Sequence, residues 1–299
     1  MADTQDMGLH VLDTIGNTPL IRIGSVYAKL ESMNPSGSIK DRVALEIIES
    51  AEREGELAEG YTVIEASSGN TGISLSMVAA VKGYKMIVVM PENMSEERKQ
   101  MMRAFNAELV LTSKSGSLTE AIETAEKLAK RPRTFWARQF SNPNNIRAQE
   151  RTGREILGEI GPVDAIVAGV GTGGTLMGIS NVMKESNPEV RVIAVEPEEA
   201  AVMFGGSETR IREHRIQGIG DGFIPQLMDM SSVDEVVTVD SEDAINTARR
   251  LSREYGLLVG ISSGANMLVA LRVAREYGKV ATVLPDRGER YLSMDLFRY

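Results

Sequence analysis

Two kinds of residue pattern in this chain could do chemistry: a lysine at the start of a helix, and turns crowded with glycines and hydroxyls. Lys40 lies in the run Asn34-Pro35-Ser36-Gly37-Ser38-Ile39-Lys40-Asp41-Arg42, ahead of an apolar stripe of Val43, Ala44, Ile47, Ile48 and Ala51. A first helical turn favours acids, so a lysine there meets the positive end of the helix dipole. That potential lowers its pKa and enlarges the share of neutral amine, the form that reacts with carbonyl carbon. The plain alternative is a surface lysine pointing into water.

Three turns stand where a strand passes into a helix, the place where open α/β sheets bind ligands. Gly171-Thr172-Gly173-Gly174-Thr175 suits a phosphate. Glycines let the backbone approach closely, and free N–H groups at the helix start hold the anion. Ser67-Ser68-Gly69-Asn70-Thr71-Gly72 suits a carboxylate, with helix capping by Ser68 or Asn70 as the simpler reading. Gly260-Ile261-Ser262-Ser263-Gly264 alone says no more than a cap. The first turn has a rival reading. Gly169, Gly171 and Gly174 satisfy the dinucleotide fingerprint, and Glu196 stands where a ribose-binding acid would. That fingerprint usually opens its domain, whereas an α/β half precedes it here, and it leaves the other two turns unexplained.

Composition removes other chemistries. The 299 residues include no cysteine, which excludes disulfides, thiolate catalysis and cysteine-based zinc sites. Only His10 and His214 are present, so a histidine metal cluster or a Ser-His-Asp triad is not expected. No metal site is anticipated. The net charge of −9 disfavours nucleic acid and anionic membranes as partners. No apolar run approaches the roughly 18 residues of a membrane span, and residues 1–13 lack the pattern of a secretory signal. A cytoplasmic location is the expectation.

The elements that must position these residues alternate. Strands are predicted at 61–65, 85–90, 107–112, 163–169, 190–196, near 233–239, and at 279–284. Helices are predicted at 73–82, 95–106 (capped by Ser95), 118–130, 175–186, 241–255 and 264–276. The alternation indicates βαβ units. The expected architecture is α/β with two lobes, each a mostly parallel twisted sheet flanked by helices, and an active site in the cleft between them. The turn-rich stretch 141–145 is the expected boundary. It gives a smaller N-terminal domain at 36–143 and a larger one from 1–35 and 144–299.

Taken together, these motifs make the chain resemble the cysteine synthase (O-acetylserine sulfhydrylase) family of fold-type II pyridoxal-phosphate enzymes. The resemblance runs from Ile15-Gly16-Asn17-Thr18-Pro19-Leu20 to Gly288-Glu289-Arg290-Tyr291-Leu292-Ser293, with the lysine run and the three turns in the family's order. It implies that Lys40 carries pyridoxal 5′-phosphate and moves the substrate's Cα proton. Asn70 would lie beside the cofactor's 3′-oxygen, and Gly171, Thr172, Gly173, Gly174 and Thr175 would bind its phosphate. Ser262 would face the pyridine nitrogen. Ser67, Ser68, Gly69, Thr71 and Gln139 would receive the substrate carboxylate. A serine does not hold the ring nitrogen protonated, which favours β-elimination and replacement over transamination.

The implied reaction makes L-cysteine from an O-activated serine and sulfide through an α-aminoacrylate. O-acetylserine is the first-choice donor and O-phosphoserine the alternative, with Arg210, Arg212 and Arg215 as the residues that could pair with a phosphate leaving group. The resemblance also implies a homodimer, and serine acetyltransferase is a candidate partner. The other readings are a cystathionine β-synthase or a serine/threonine dehydratase of the same fold, a nicotinamide-dependent oxidoreductase, and a non-catalytic scaffold. The chain departs from the family in three places. It is several residues shorter between the Asn17-Thr18-Pro19-Leu20 segment and Lys29, and Ser67 stands where threonine is commoner. Residues 148–156 lack a histidine, a threonine and a proline, which raises the question of altered domain closure or substrate preference.

Overall fold

A computed structural model describes residues 10–114, 117–205, 212–294 and 296–297. Among the described residues ten strands form two sheets. The larger contains β1 (Leu20–Ile23), β2 (Val26–Lys29), β7 (Ala165–Gly169), β8 (Arg191–Pro197), β9 (Glu235–Val239) and β10 (Val280–Val283). Their order is β1-β2-β10-β7-β8-β9, and only the β1–β2 pair is antiparallel. The smaller contains β3 (Thr62–Ala66), β4 (Lys85–Pro91), β5 (Glu108–Thr112) and β6 (Thr134–Trp136), all parallel in the order β5-β4-β3-β6.

Helices cover both faces of each sheet, which is why the central strands read as unbroken apolar runs. On the larger sheet, Ala165, Val167, Ile193 and Val195 face α7 (Ser241–Tyr255) and α8 (Ile261–Tyr277). The alternate residues Ile166, Ala168, Val192 and Ala194 face α5 (Asn144–Ile160) and α6 (Gly174–Ser186). On the smaller sheet, Val63, Met86, Val88 and Met90 pack with α1 (Lys40–Glu54), α2 (Asn70–Lys82) and Met102 of α3 (Glu96–Ala104). Ile64, Ala66 and Val89 pack with Ala121 and Ala125 of α4 (Ser117–Ala129). Among the described residues no helix is long and apolar enough to cross a membrane.

The expected strands and helices are present, with shifted ends. Two shifts bear on chemistry. α2 begins at Asn70 and α8 at Ile261, so residues read as loop form first helical turns whose N–H groups lack helical acceptors. Ser95 is the N-cap of α3, yet its side chain makes no capping hydrogen bond. The sequence reading missed β1, β2, β6 and the 17-residue α5. α5 hides because its buried stripe includes Gln149, Thr152 and Gly153 beside Ala148 and Ile156. Gly153 lies against Ile179 and Val182 of α6, and Gly178 of α6 lies against Ile146 and Gln149. Paired glycines let the two helices approach closely.

A buried ion network sets the helix that begins with Lys40. Arg42 meets Glu31 at 2.7 Å and Glu155 of α5 at 2.6 Å, and buried Lys29 meets Glu155 at 3.1 Å and Glu159 at 2.6 Å. Burial alone would raise the Glu155 pKa, but the Arg42 hydrogen bonds and charge hold it down at about 2. Through Glu155, segment 148–156 helps to hold the start of α1. None of its residues lines the cavity described next.

Candidate active site

The carboxyl ends of β3, β4, β7 and β10 open on one cavity of about 660 Å³. That volume suits a cofactor together with a small substrate. It gathers Lys40, Ser67, Ser68, Gly69, Asn70, Thr71, Gln139, Gly171, Thr172, Gly173, Thr175 and Ser262, every predicted site residue except Gly174. Gly174 is the first residue of α6, between the lining residues Gly173 and Thr175.

Lys40 is the first residue of α1. Ile39 N donates to Pro285 O at 2.8 Å, and Arg287 N donates to Gly37 O at 3.2 Å, which fixes the turn before it. Lys40 lines the cavity, and its Nζ makes no hydrogen bond to a described residue. Its pKa is lowered, as expected, but mainly by loss of hydration, with the carboxylates of Asp221 and Asp286 opposing the shift. The expected helix-end potential is not the leading cause.

The turn before α6 has groups that could hold an anion. Gly173 has φ +84°, a conformation that favours glycine. A methyl group at Gly171 would overlap Gly218 O, and one at Gly174 would overlap Asn145 Oδ1. The N–H groups of Gly171, Thr172 and Gly173 donate to no described residue, and those of the first α6 turn have no helical acceptor. Asn145 Nδ2 donates to Thr172 Oγ1 at 3.0 Å and to Gln139 O at 2.9 Å. Asn145 therefore ties this turn to the opposite wall.

The turn before α2 uses side chains. Ser67 Oγ accepts from Gly69 N at 3.2 Å and from Gly72 N at 3.0 Å, so Ser67 does the capping expected of Ser68 or Asn70. Ser68 is left facing the cavity. Thr71 Oγ1 donates to Gln139 Oε1 at 2.5 Å, and Gln139 Nε2 donates to Ala66 O at 2.7 Å. Gln139 N donates to Glu65 Oε2 at 3.1 Å. Burial pushes the Glu65 carboxyl up to about 8 even though backbone N–H groups favour its charge. Gly69 has no side chain because the Arg98 guanidinium lies against it.

Ser262, in the first turn of α8, lines the cavity and its hydroxyl bonds to no described residue. Opposite charges share the space: Lys40, Arg98 and Lys114 against Glu213 and Asp221. Asp221, in the Gly218-to-Gly222 loop, is held above its ordinary pKa by desolvation, with His214 and Lys40 pulling it down. Sequence reasoning missed Glu65, Arg98, Asn145 and Asp286, and gave Asp221 no role of its own. Only Asp221 carried a local sign, an acid inside a glycine-rich loop.

Two alternative readings lose support. Glu196 is buried and accepts from the N–H groups of Val202, Met203 and Phe204 at 2.9, 3.0 and 2.8 Å. Committed to that turn, it cannot serve a ribose, and the dinucleotide reading loses its second element. Neither Arg212 nor Arg215 lines the cavity, and Arg215 pairs with Glu242. Arg210 lies outside the described residues. Those residues also hold no group of three His, Asp or Glu side chains able to take a metal ion.

The residues present fit pyridoxal phosphate: a lysine amine and the N–H groups of a glycine turn, none hydrogen-bonded to a described residue, and an uncharged hydroxyl on a third element. Residues 11–286 match the family described as pyridoxal-phosphate dependent enzyme. The chain is 43% identical to cysteine synthase of Staphylococcus aureus, over 97% of both sequences. It superposes on the structure of cysteine synthase from Entamoeba histolytica with a TM-score of 0.92 and 39% identity, covering 100% of this chain and 93% of that one. The O-acetylserine-dependent cystathionine β-synthase of Helicobacter pylori gives 0.90 and 37%, covering 96% and 98%.

Proposed function

From the premise that the chain belongs to the pyridoxal-phosphate-dependent enzymes, we propose that it is a cysteine synthase. It replaces the β-substituent of an O-activated serine, O-acetylserine in the first place, with sulfide to give L-cysteine. The observation that carries this reading is the meeting, in one cavity, of a Lys40 amine and the N–H groups of the 171–173 turn, none of which is hydrogen-bonded to a described residue.

Lys40 would hold the cofactor, the 171–175 turn its phosphate, Asn70 its 3′-oxygen and Ser262 its pyridine nitrogen. When bound, the cofactor draws off the electron pair released at the substrate's Cα. Each protein group then has a definite task. The lowered pKa of Lys40 enlarges its share of neutral amine, the form that can take the Cα proton and return it. Ser68, Thr71 and Gln139 orient the substrate through its carboxylate. Ser262, uncharged, leaves the ring nitrogen unprotonated and so favours loss of the β-substituent over transamination. The two sheets support division into domains at 36–143 and at 1–35 with 144–299. The family resemblance supports a homodimer, a cytoplasmic location and a serine acetyltransferase partner.

The test is a matrix of amino-acid donors against nucleophiles with purified holoenzyme. Cysteine from O-acetylserine and sulfide is the expected product. Turnover of serine or threonine to a keto acid, without cysteine, would overturn the reading in favour of a dehydratase.

A further inference from the structure

The segment Asp286-Arg287-Gly288-Glu289-Arg290-Tyr291 follows β10 and carries a motif with no task in the chemistry above. It meets three elements that face the cavity. Asp286 forms an antiparallel bridge with Ser38, in the turn before Lys40. Asp286 O accepts from Gly260 N at 3.1 Å, at the start of the helix carrying Ser262. Asp286 Oδ2 accepts from Asn70 Nδ2 at 2.7 Å and from the Tyr291 hydroxyl at 2.6 Å. Arg290 donates to Asn70 Oδ1 and to Ser36 O. Asp286, Arg290 and Tyr291 are all buried.

This arrangement determines which way the Asn70 amide points. A guanidinium can only donate, so the amide oxygen must face Arg290. A carboxylate can only accept, so the amide nitrogen must face Asp286. One of the two Nδ2 hydrogens is spent on Asp286. The other is left over, on a residue that lines the cavity. A side chain at Gly260 would overlap Asp286 Oδ1, so the absence of one there makes room for the carboxylate.

We infer that Asp286 is a positioning residue: it fixes the amide of Asn70 so that an N–H, and not the amide oxygen, is offered to the cofactor's ring oxygen. The inference rests on the proposed place of Asn70 beside that oxygen, and it gives the 286–291 motif a task. An amide held only at its oxygen by Arg290 could still pivot about that one bond and turn its second N–H off the ring oxygen. The cofactor would then lose one hydrogen bond and the ring oxygen its partner.

A double-mutant cycle tests this, reading the cofactor's absorption band and its dissociation constant by equilibrium dialysis. Asp286→Ala and Asn70→Ala should each shift the band in the same direction and weaken cofactor binding about tenfold, the value of one hydrogen bond. The double variant should be no worse than Asn70→Ala alone. Asp286→Asn, whose amide oxygen can still accept from Nδ2, should restore most of the band. An unchanged band in Asp286→Ala, or effects that multiply in the double variant, would overturn the inference. An unchanged band in Asn70→Ala would instead remove the placement of Asn70 on which it rests. Should Asp286→Ala fail to fold, Asp286→Ser, too short to reach Asn70, takes its place: a shifted band is again expected, and an unchanged one again overturns the inference.

Discussion

The turns after β7 and β3 both carry a strand into a helix at the same cavity, yet they offer a ligand different means of attachment. The turn before α6 works through its main chain, with glycines admitting no side chain and N–H groups left free. The turn before α2 works through side chains braced from elsewhere, with Thr71 on Gln139 and Gln139 on Glu65. A main-chain site is fixed by local conformation and tolerates almost no substitution. A braced site depends on distant partners and should lose function by degrees.

The largest effect should come from breaking the main-chain turn. In Gly171→Ala the new methyl group would overlap Gly218 O. Cofactor affinity should fall at least ~100-fold, about 3 kcal/mol, as read by dialysis. The braced turn should yield less. Gln139→Ala removes the partners of Thr71 and Ala66, and KM for the amino-acid donor should rise ~10-fold with a smaller change in kcat. If Gly171→Ala proved milder than Gln139→Ala, the contrast between the two turns would be wrong.

A third test concerns the base of the braced turn. Glu65 has its carboxyl pushed from 4.5 up to about 8 by burial. Between those values the folded protein keeps a proton that the unfolded chain releases. This contribution to stability is therefore complete below the unfolded value and is lost as pH rises through the folded one, at up to about 1.4 kcal/mol per pH unit. Glu65→Gln removes the titration. Its unfolding free energy relative to wild type should increase steadily from pH about 5 to about 8, and a flat difference would contradict it. The smallest effect belongs to the rim: Arg215→Ala breaks a surface pair with Glu242 worth no more than ~1 kcal/mol. The ratio of kcat/KM for O-phosphoserine and O-acetylserine should not change.

The same contrast explains what the sequence revealed. The glycine turns and Lys40 were legible because their signature is local, a few residues whose types suit one backbone shape. The braces were not. Glu65 meets Gln139 across 74 residues, Asn70 meets Asp286 across 216, and Asn145 meets Thr172 across 27. Nothing in the composition around Glu65 separates a buried carboxyl from a surface one. Helix α5 escaped for a related reason: Gln149, Thr152 and Gly153 on its buried face break the apolar period. Glu196 misled in the opposite sense. Its position fitted a ribose, and only its three amide partners reveal that it caps a turn.

Reduction of the holoenzyme with borohydride, followed by peptide mass spectrometry, tests the central claim most directly. The expected result is a phosphopyridoxyl group on the peptide containing Lys40 and on no other. A label on a different lysine, or none on a protein that has cofactor bound, would contradict the account.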